Sequence, residues 1–528
     1  MPPFIRRLPA VGALLAKPAK GPDAAPPLQC QTKPTDTARG HTPERRCGHP
    51  PFGLAHGKRQ AEPLRGGPTT ALLAAVAITL FAVLSSGCEP QAKATQARIS
   101  LTADIHGRLV PCGCFTGQLG GMTRIHTFLE HNAQPNEIRV DAGDALQGTD
   151  DFEVMEYKRI LEAFQMMNFS ALNVGAREAE LSASQLREIT GETGAPLISA
   201  NLYDAATETS VLPTHRQIEI DGKKVIIAGI LHPDSAKDIT LGEGLRLAPP
   251  DLILTELLPG LRKQCDLLVL LAFADEDNLR ELAEQFFEVD FMLGGDVSQP
   301  SGNTRLVNQS HVFYVANESR TVGLIDFTMT GATKNARHSL TIDSSRPELM
   351  YDDIPEAPEV VGLAVSYRDM IRRTKLEIDT PENLQQGNVP GIRPPARYVG
   401  TQSCMGCHQE EYAIWKDSGH AHAWKSLKHT KADADPNCIG CHSVGFGTVS
   451  GYRREFKHEK LIDVGCESCH GPGSQHVAER SSGGPVRHKF RPLAEGDCRS
   501  CHYGEFSRPF VWDEFWPQIA HGKKKDPL

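Results

Sequence analysis

The sequence predicts an α/β layered domain followed by a small domain that is mostly helical and irregular. Apolar runs of strand length alternate with helix-like stretches between residues 97 and 330, which is typical of sheets covered by helices. The last quarter, residues 399–528, instead repeats one short cysteine and histidine motif four times. A chain of 528 residues has room for both domains.

The alternation of strands and helices fixes the order of the first domain, predicted over residues 97–335. Ile99 and Leu101 belong to a first strand that ends at Asp104-Ile105-His106, and a glycine-rich loop follows. Asp221-Gly222 between two apolar runs predicts a hairpin turn. Helices are predicted at 122–131, 151–167 and 276–287, and further strands at 138–140, 171–175, 196–200, 267–272, 289–293, 311–316 and 321–329.

Residues 336–398 are interpreted as a connector between the two domains. A helix-like stretch at 360–376 mixes apolar residues with Arg and Lys, and residues 381–395 are rich in Pro, Gly and Asn. That composition predicts an extended linker just before the C-terminal domain.

The repeated motif of the C-terminal domain is Cys-x-x-Cys-His, the attachment site of a c-type haem. Both thiols add to the porphyrin, and the following imidazole binds the iron. A zinc ribbon or a disulfide framework predicts cysteine pairs without a fixed following histidine. The sequence therefore predicts four covalent haems, at Cys404, Cys407 and His408; at Cys438, Cys441 and His442; at Cys466, Cys469 and His470; and at Cys498, Cys501 and His502.

The start of the chain predicts export, which covalent haem attachment also requires. Residues 66–88 are interpreted as a signal peptide, because the apolar run 69–84 is too short for a comfortable membrane span. The run ends in Leu84-Ser85-Ser86-Gly87-Cys88, which resembles a bacterial lipoprotein signal and makes Cys88 the candidate lipid anchor. Ordinary cleavage after a small residue is the alternative. Residues 1–65 are interpreted as a mis-started or disordered extension.

Several features of residues 97–330 resemble the 5'-nucleotidase branch of the calcineurin-like metallophosphoesterases. The matching segments, in order, are Asp104-x-His106, Gly143-Asp144, Val174-Gly175-x-x-Glu178, Ser199-Ala200-Asn201 and Gly294-Gly295. The resemblance implies a four-layer α/β sandwich with two metal ions at the strand ends. It gives Asp104, His106 and Asp144 as three metal ligands.

Departures from that pattern predict that hydrolysis is lost. The Asn-His-Glu signature is Ala176-Arg177-Glu178 here, and the Gly-Gly-His-x-His signature has Asp296 and Ser298 in place of its two histidines. The ligand histidine that follows the apolar strand is also missing from the segment 272–274. Three ligands are enough for one divalent ion and too few for a two-metal centre.

The glycine-rich loop offers a different chemistry, because it contains Cys112-Gly113-Cys114. Two thiols one residue apart form a strained, labile disulfide or bind a soft metal. The alternative is a plain structural disulfide or two buried thiols. With Gln118 to Gly121 the loop resembles the nucleotidase-like (seleno)protein families, which makes Cys112 and Cys114 the candidate catalytic residues.

The C-terminal domain resembles the tetrahaem cytochrome c-554 family. The segments that carry the resemblance are Trp415-x-x-Ser418-x-His420-Ala421-x-Ala423 and Gly465 through His476, and the end of the chain, Phe515 to Gly522, resembles related multihaem cytochromes. The resemblance implies that His420, His476 and His521 are distal iron ligands. It leaves open which haem each serves. Three distal ligands for four irons fit the open haem site that the family often has, and His422 or His429 is an alternative ligand for the fourth iron.

Three functions follow as hypotheses from different classes. The first is a periplasmic oxidoreductase that moves electrons between an electron-transfer partner, periplasmic or membrane-bound, and a thiol site acting on a small sulfur or selenium compound. One relative of the nucleotidase fold, the thiosulfohydrolase of sulfur oxidation, supports such a substrate by analogy. The others are a pure electron carrier and a hydrolase with a reduced metal complement. A net charge of -9 argues against a nucleic-acid partner.

Overall fold

The computed structural model describes residues 94–111, 118–316, 318–330, 339–380, 383–384, 396–456, 458–503, 507 and 509–522. All of these residues belong to one compact unit, Gln91–Leu528. The predicted signal peptide, Cys88, Cys112 and Cys114 lie outside the described residues. Within them, no helix is both long and apolar enough to cross a membrane.

Two six-stranded sheets form the framework of the α/β domain. The strands are β1 Thr95–Thr102, β2 Glu137–Asp141, β3 Ala171–Asn173, β4 Leu197–Ile198, β5 Leu202–Asp204, β6 Thr209–Ser210, β7 His215–Ile220, β8 Lys223–Leu231, β9 Leu245–Leu247, β10 Leu267–Phe273, β11 Phe291–Gly294, β12 Arg305–Val307, β13 Ser310–Tyr314, β14 Thr321–Thr330 and β15 Ser339–Leu349. The sheet orders are β15-β14-β1-β2-β3-β4 and β12-β13-β11-β10-β8-β7, and β6-β5-β9 form a small third sheet.

Both large sheets have a parallel centre. In the first, β1 to β4 run parallel and β14 joins β1 antiparallel. In the second, β8, β10, β11 and β13 run parallel, flanked by antiparallel β7 and β12. The strands that are covered on both faces consist almost entirely of apolar residues, as buried parallel strands require. The predicted hairpin turn at Asp221-Gly222 joins β7 to β8, with φ angles of 44° and 77°.

The two sheets face each other and carry helices on their outer surfaces. Ile99 and Val140 of the first sheet share one buried cluster with Val269 and Phe291 of the second. The helices are α1 Met122–His131, α2 Asp151–Met166, α3 Ala183–Thr193, α4 Pro250–Arg262 and α5 Glu276–Gln285. Helices α1 to α3 pack on the first sheet, and α4 and α5 pack on the second. These four layers confirm the predicted α/β sandwich.

The α/β domain extends beyond residue 335, where the sequence placed its end. Strand β15 pairs antiparallel with β14 along its whole length, so residues 339–349 are an edge of the first sheet. The predicted connector helix is α6, Pro358–Arg373, and it packs on α2 through Tyr367 and Ile371. The sequence pattern of residues 358–373 did not reveal this packing, because the apolar face of α6 is covered by α2, which lies far away in the chain.

The C-terminal domain consists of short helices joined by irregular segments. They are α7 Gln402–Met405, α8 Gln409–Asp417, α9 Ala423–Thr430, α10 Pro436–His442, α11 Cys466–His470, α12 Ser474–Ser481, α13 Glu495–Cys498 and α14 Trp512–Phe515. One small apolar cluster lies around α9 and α10, with Trp424, Leu427 and Ile439 at its centre.

Helix α6 and the turn after it hold the two domains together. Arg372 Nη2 lies 2.8 Å from Asp433 Oδ1, and Arg368 Nη1 donates to the carbonyl oxygen of Thr430 at 2.8 Å. Arg454 Nη1 lies 2.8 Å from Asp379 Oδ2, and both side chains are less than a tenth exposed. Buried charge pairs of this kind fix a single relative position only while both partners are present.

We expect Arg454→Met to lower the free energy of unfolding by about 3 kcal/mol, because it leaves the buried Asp379 carboxylate unpaired. Urea unfolding of the purified holoprotein measures the change. The matched control is Arg499→Met, whose ion pair with Glu495 is exposed on both sides and should be worth less than about 1 kcal/mol. Equal losses for the two variants would contradict the prediction.

Candidate functional site

The predicted metal ligands lie at the carboxyl ends of two neighbouring parallel strands. Asp104 and His106 follow β1, and Asp144 follows β2. The two loops are hydrogen-bonded to each other, since the Asp104 amide donates to Gly143 O at 2.8 Å and the His106 amide donates to Asp144 O at 3.1 Å. Strand topology therefore gathers the three residues at one sheet edge, where α/β proteins bind ligands.

All three residues have a backbone conformation that side chains rarely adopt. The φ angles are 56° at Asp104, 50° at His106 and 68° at Asp144. A non-glycine residue in this left-handed region costs of the order of 1 kcal/mol or more, and such residues concentrate at functional sites. The strain is held by the bonds between the loops and by the carboxylate of Glu178.

The side chains of Asp104, His106 and Asp144, here called the triad, converge on one point. His106 Nδ1 lies 3.4 Å from Asp104 Oδ1, and His106 Nε2 lies 3.0 Å from Asp144 Oδ2. One ligand atom from each residue lies within 4.8 Å of the other two. Carboxylate oxygens and an imidazole nitrogen suit a divalent ion such as Mn²⁺ or Zn²⁺.

Burial shapes the charges of the triad. It raises the pKa of Asp104 to about 6, although the neighbouring His106 opposes the shift. Burial by itself lowers the pKa of His106, but its hydrogen bond to Asp144 and the charge of Asp104 outweigh that effect, and the net shift is upward. The two carboxylates thus outweigh burial in setting the direction of the His106 shift.

The guanidinium of Arg177 places a positive charge against the triad. Its Nε donates to His106 Nε2 at 2.5 Å and lies 3.4 Å from Asp144 Oδ2, while its backbone amide donates to Asp144 Oδ1 at 2.7 Å. The guanidinium therefore contacts the imidazole that a metal in the triad would need. The donor set thus fits one ion in competition with Arg177, and Asp296 and Ser298 lie exposed outside the triad.

Glu178 organises the loop that carries Asp144. Its carboxylate accepts hydrogen bonds from the backbone N–H groups of Asp144, Ala145, Leu146 and Gly175, at 2.7 to 3.1 Å. Burial raises its pKa to about 7, with the charge of Asp144 acting in the same direction and the N–H donors opposing it. The sequence match to the nucleotidase pattern included Glu178, but its role as an acceptor appears only in the fold.

The loop of Cys112 and Cys114 leaves from the segment that carries the triad. Its described ends are anchored, since the amide of Met122 donates to Arg108 O at 3.0 Å and the amide of Gly120 to Met350 O at 2.8 Å. Pro111 abuts Gly121 so closely that a Cβ at residue 121 would lie 2.5 Å from the Pro111 nitrogen. Both thiols lie in the stretch between these anchors, outside the described residues.

In the C-terminal domain, three motif histidines face three other histidines. The ring centroids are 6.2 Å apart for His408 and His476, 6.0 Å for His420 and His502, and 5.9 Å for His470 and His521. An imidazole nitrogen lies about 2 Å from a bound transition metal, so two rings on opposite sides of one ion stand about 6 Å apart. The pairs therefore fit one iron each, and they join the three predicted distal histidines to the first, fourth and third motifs.

The second motif lies on α10 beside the small apolar cluster. His442 Nδ1 is 2.7 Å from the carbonyl oxygen of Ala423, a contact that orients the ring. The alternative ligands His422 and His429 have exposed side chains.

The cysteines that carry the haem attachment points come together in pairs across the domain. The thiol of Cys404 contacts that of Cys466, and the thiol of Cys501 contacts that of Cys441. These sulfur atoms stand for the thioethers of the mature protein. Glu467, buried inside the third motif, accepts hydrogen bonds from the amides of Gly400 and Gly473 at 2.7 Å each. It thereby fixes the segment before the first motif to the third.

Paired thiols, paired histidines and the sandwich fold define a haem-binding domain attached to an α/β domain of the metallophosphoesterase type. Residues 403–471 match the family described as cytochrome c554 and c-prime. Cytochrome c-554 of Nitrosomonas europaea is 38% identical over 144 residues, which is 22% of this chain and 61% of that protein. The human 5'-nucleotidase is 29% identical over 134 residues, 24% of this chain and 23% of its own length.

Among solved structures, the 5'-nucleotidase precursor of Thermus thermophilus superposes with a TM-score of 0.45 and 19% identity, over 52% of this chain and 59% of that one. The C-terminal part of the chain is thus similar to cytochrome c554, and the N-terminal part is similar to 5'-nucleotidases. Covalently bound haem c follows from the cytochrome relationship, as does export, because this haem is attached outside the cytoplasm.

Proposed function

We propose that the protein is an exported oxidoreductase with four haems, which exchanges electrons between a partner protein and a thiol site at Cys112 and Cys114. The observation that carries the proposal is Arg177, whose Nε lies 2.5 Å from His106 Nε2 in a triad with ligands for one metal ion. A cation in that position weakens metal-assisted hydrolysis. The haems and the two thiols are therefore the remaining candidates for the chemistry of the protein.

The substrate class that suits this site is a sulfur–sulfur or selenium–sulfur compound. Reducing one such bond takes two electrons and two protons, breaks the bond and leaves two thiols or a thiol and a selenol. When bound, each haem supplies or accepts one electron. The partner protein replaces the electrons from outside.

Arg177 and the thiol loop have complementary tasks. The Arg177 side chain is 39% exposed, so its N–H groups are accessible to an anionic end of the substrate. One of Cys112 and Cys114 attacks the substrate sulfur as a thiolate, which breaks the substrate bond and releases its first half as a thiol or selenol. The other cysteine then displaces the second half from the mixed disulfide and closes the Cys112–Cys114 disulfide, which two haem electrons and two protons reopen. The signal peptide and Cys88 would place this reaction in the periplasm, with a lipid anchor at Cys88.

The test is stopped-flow absorbance of the reduced haems after mixing with polysulfides, disulfides, and sulfur and selenium oxyanions. We expect rapid reoxidation in the wild type and at least a tenfold slower rate in the double variant Cys112→Ser, Cys114→Ser. The matched control is Cys265→Ser, a thiol of the α/β domain that should not react because burial raises its pKa to about 11. An equal rate in the double variant and the control would contradict the proposal, and no reoxidation by any compound would favour a pure electron carrier.

The triad supports a second candidate function, a metal-dependent phosphoesterase with a reduced metal complement. Its ligand atoms lie within 4.8 Å of one another, which is sufficient for one ion. Phosphate release from a nucleotide after addition of Mn²⁺, lost in Asp144→Asn, would support it. If phosphate is released in this way and the cysteine double variant still reoxidises its haems at the wild-type rate, the phosphoesterase would replace the first proposal.

A further inference from the structure

The helix of the second haem motif, α10, touches the α/β domain beside the triad. Its second residue, Asn437, donates from Nδ2 to Gln147 Oε1 at 3.2 Å. Asn437 directly precedes Cys438, the first attachment cysteine of that motif. Gln147 lies three residues after Asp144 and packs so tightly that a Cβ at Gly107 would lie 2.7 Å from its Oε1 atom.

A continuous series of hydrogen bonds leads from that contact to the triad. Arg177 Nη1 donates to the carbonyl oxygen of Gln147 at 2.9 Å, and Arg177 Nε donates to His106 Nε2 at 2.5 Å. Three side chains therefore connect His106 with the residue next to Cys438. The contact between Gln147 and Asn437 could not be predicted, since neither residue belongs to a recognisable sequence motif.

The carboxylate of Glu153 lies near charged groups on both sides of this contact. The carboxylate of Glu153, on α2, feels the charges of both Arg177 and Asp435. Asp435 is the N-terminal cap of α10 and accepts from the amide of Asn437 at 3.1 Å. Glu153 thus lies between Arg177 and the start of the helix that holds the second haem motif.

Two ion pairs help to hold α10 against the α/β domain. The ion pair of Arg372 with Asp433 and the buried pair of Arg454 with Asp379 flank the contact, each at 2.8 Å. Both pairs tie the C-terminal domain to α6 and the turn after it, which pack on α2 of the sandwich. The spacing between α10 and the triad is therefore set by the fold.

The second motif also stands at one end of the series of attachment sites. Thiol contacts join the first motif to the third through Cys404 and Cys466, and the second to the fourth through Cys441 and Cys501. Cys469 of the third motif lies within electrostatic range of Cys498 in the fourth. The series runs first, third, fourth, second, and its last member borders the α/β domain.

We propose that the haem held by Cys438 and Cys441 is the redox contact between the two domains, coupled to the triad through Asn437, Gln147 and Arg177. This inference rests on the proposed function, which needs such a contact, and it names the residues that provide it. Arg177, which contacts His106 and Asp144, acts here as a positioning residue for electron exchange.

The test measures the four midpoint potentials of the holoprotein by a redox titration followed by electron paramagnetic resonance. His442→Met identifies the haem of the second motif, since a methionine ligand raises its potential. We expect Arg177→Gln to lower the potential of that same haem, because removing a nearby positive charge favours ferric iron, and to leave the other three unchanged. Arg177→Lys should keep the wild-type potential.

The matched control is Arg280→Gln, which removes an exposed arginine from α5, on the outer face of the second sheet, and should shift no potential. A shift on another haem, or no shift, would overturn the inference. The neutral variant Asn437→Ala gives a second check, since it should slow haem reoxidation by a sulfur compound at least threefold. If Arg177→Gln shifts the potential but no compound reoxidises the wild type, the coupling stands and the proposed function fails.

Discussion

Replacing Glu178 with alanine is expected to lower the free energy of unfolding by about 5 kcal/mol. The change leaves four buried backbone N–H groups without their acceptor, and each unsatisfied donor costs about 1–3 kcal/mol before the loop relaxes. The strained φ of 68° at Asp144 loses its support at the same time. Urea unfolding of the holoprotein, followed by circular dichroism, measures the loss.

The control for this experiment is Glu188→Ala, an exposed glutamate on α3 that should change the free energy of unfolding by less than about 0.5 kcal/mol. Glu178→Gln keeps one carbonyl oxygen as acceptor and should fall between the alanine variant and the wild type. A loss below about 1 kcal/mol for Glu178→Ala would show that the Asp144 loop is held by other contacts. The triad would then be less firmly constrained than its hydrogen bonds indicate.

Replacing a predicted distal histidine with alanine is expected to remove one axial ligand from one haem and from no other. In His476→Ala the affected haem is that of Cys404 and Cys407, because the His476 ring faces His408 at 6.2 Å. His521→Ala should act on the third motif and His420→Ala on the fourth. Each variant should convert one low-spin haem per chain to high spin, which resonance Raman and electron paramagnetic resonance spectra detect.

A histidine outside the C-terminal domain serves as the control. His131→Ala changes an exposed residue at the end of α1 and should leave every haem spectrum as it is. If His476→Ala and His131→Ala gave the same spectra, the facing rings would not be a ligand pair. If one variant altered two haems, the assignment of histidines to motifs would need to be redrawn.

The α/β domain is a four-layer sandwich whose site differs from the nucleotidase pattern. It is attached to a domain that is similar to cytochrome c554. The triad keeps ligands for one ion, and Arg177 supplies a fixed positive charge beside it. The same arginine connects through Gln147 to the helix of the second haem motif. Arg177, which departs from the nucleotidase pattern, thus contacts both the triad and the residue that binds the helix of the second haem motif.

Motifs, helix bounds and turns could be predicted from the sequence, because they depend on residues that are close together in the chain. The spacing Cys-x-x-Cys-His identifies haem attachment because both thiols and the imidazole must reach one porphyrin. Helix α1 was predicted with its observed bounds, and Asp221-Gly222 correctly predicted a hairpin because its backbone angles are accessible to that pair. The three triad residues could be found because each follows the end of a strand and matches a known motif.

Only the tertiary structure decided what joins distant parts of the chain. The pairing of His408 with His476 and of His420 with His502 depends on how short helices cross, which no local pattern encodes. The edge strand β15 and the face of α6 are satisfied by partners elsewhere in the fold, so their sequences look like a connector. In the sequence, Arg177 only replaces the histidine of the Asn-His-Glu signature. Its contacts with His106 and Gln147 arise because the parallel strands β1, β2 and β3 end side by side.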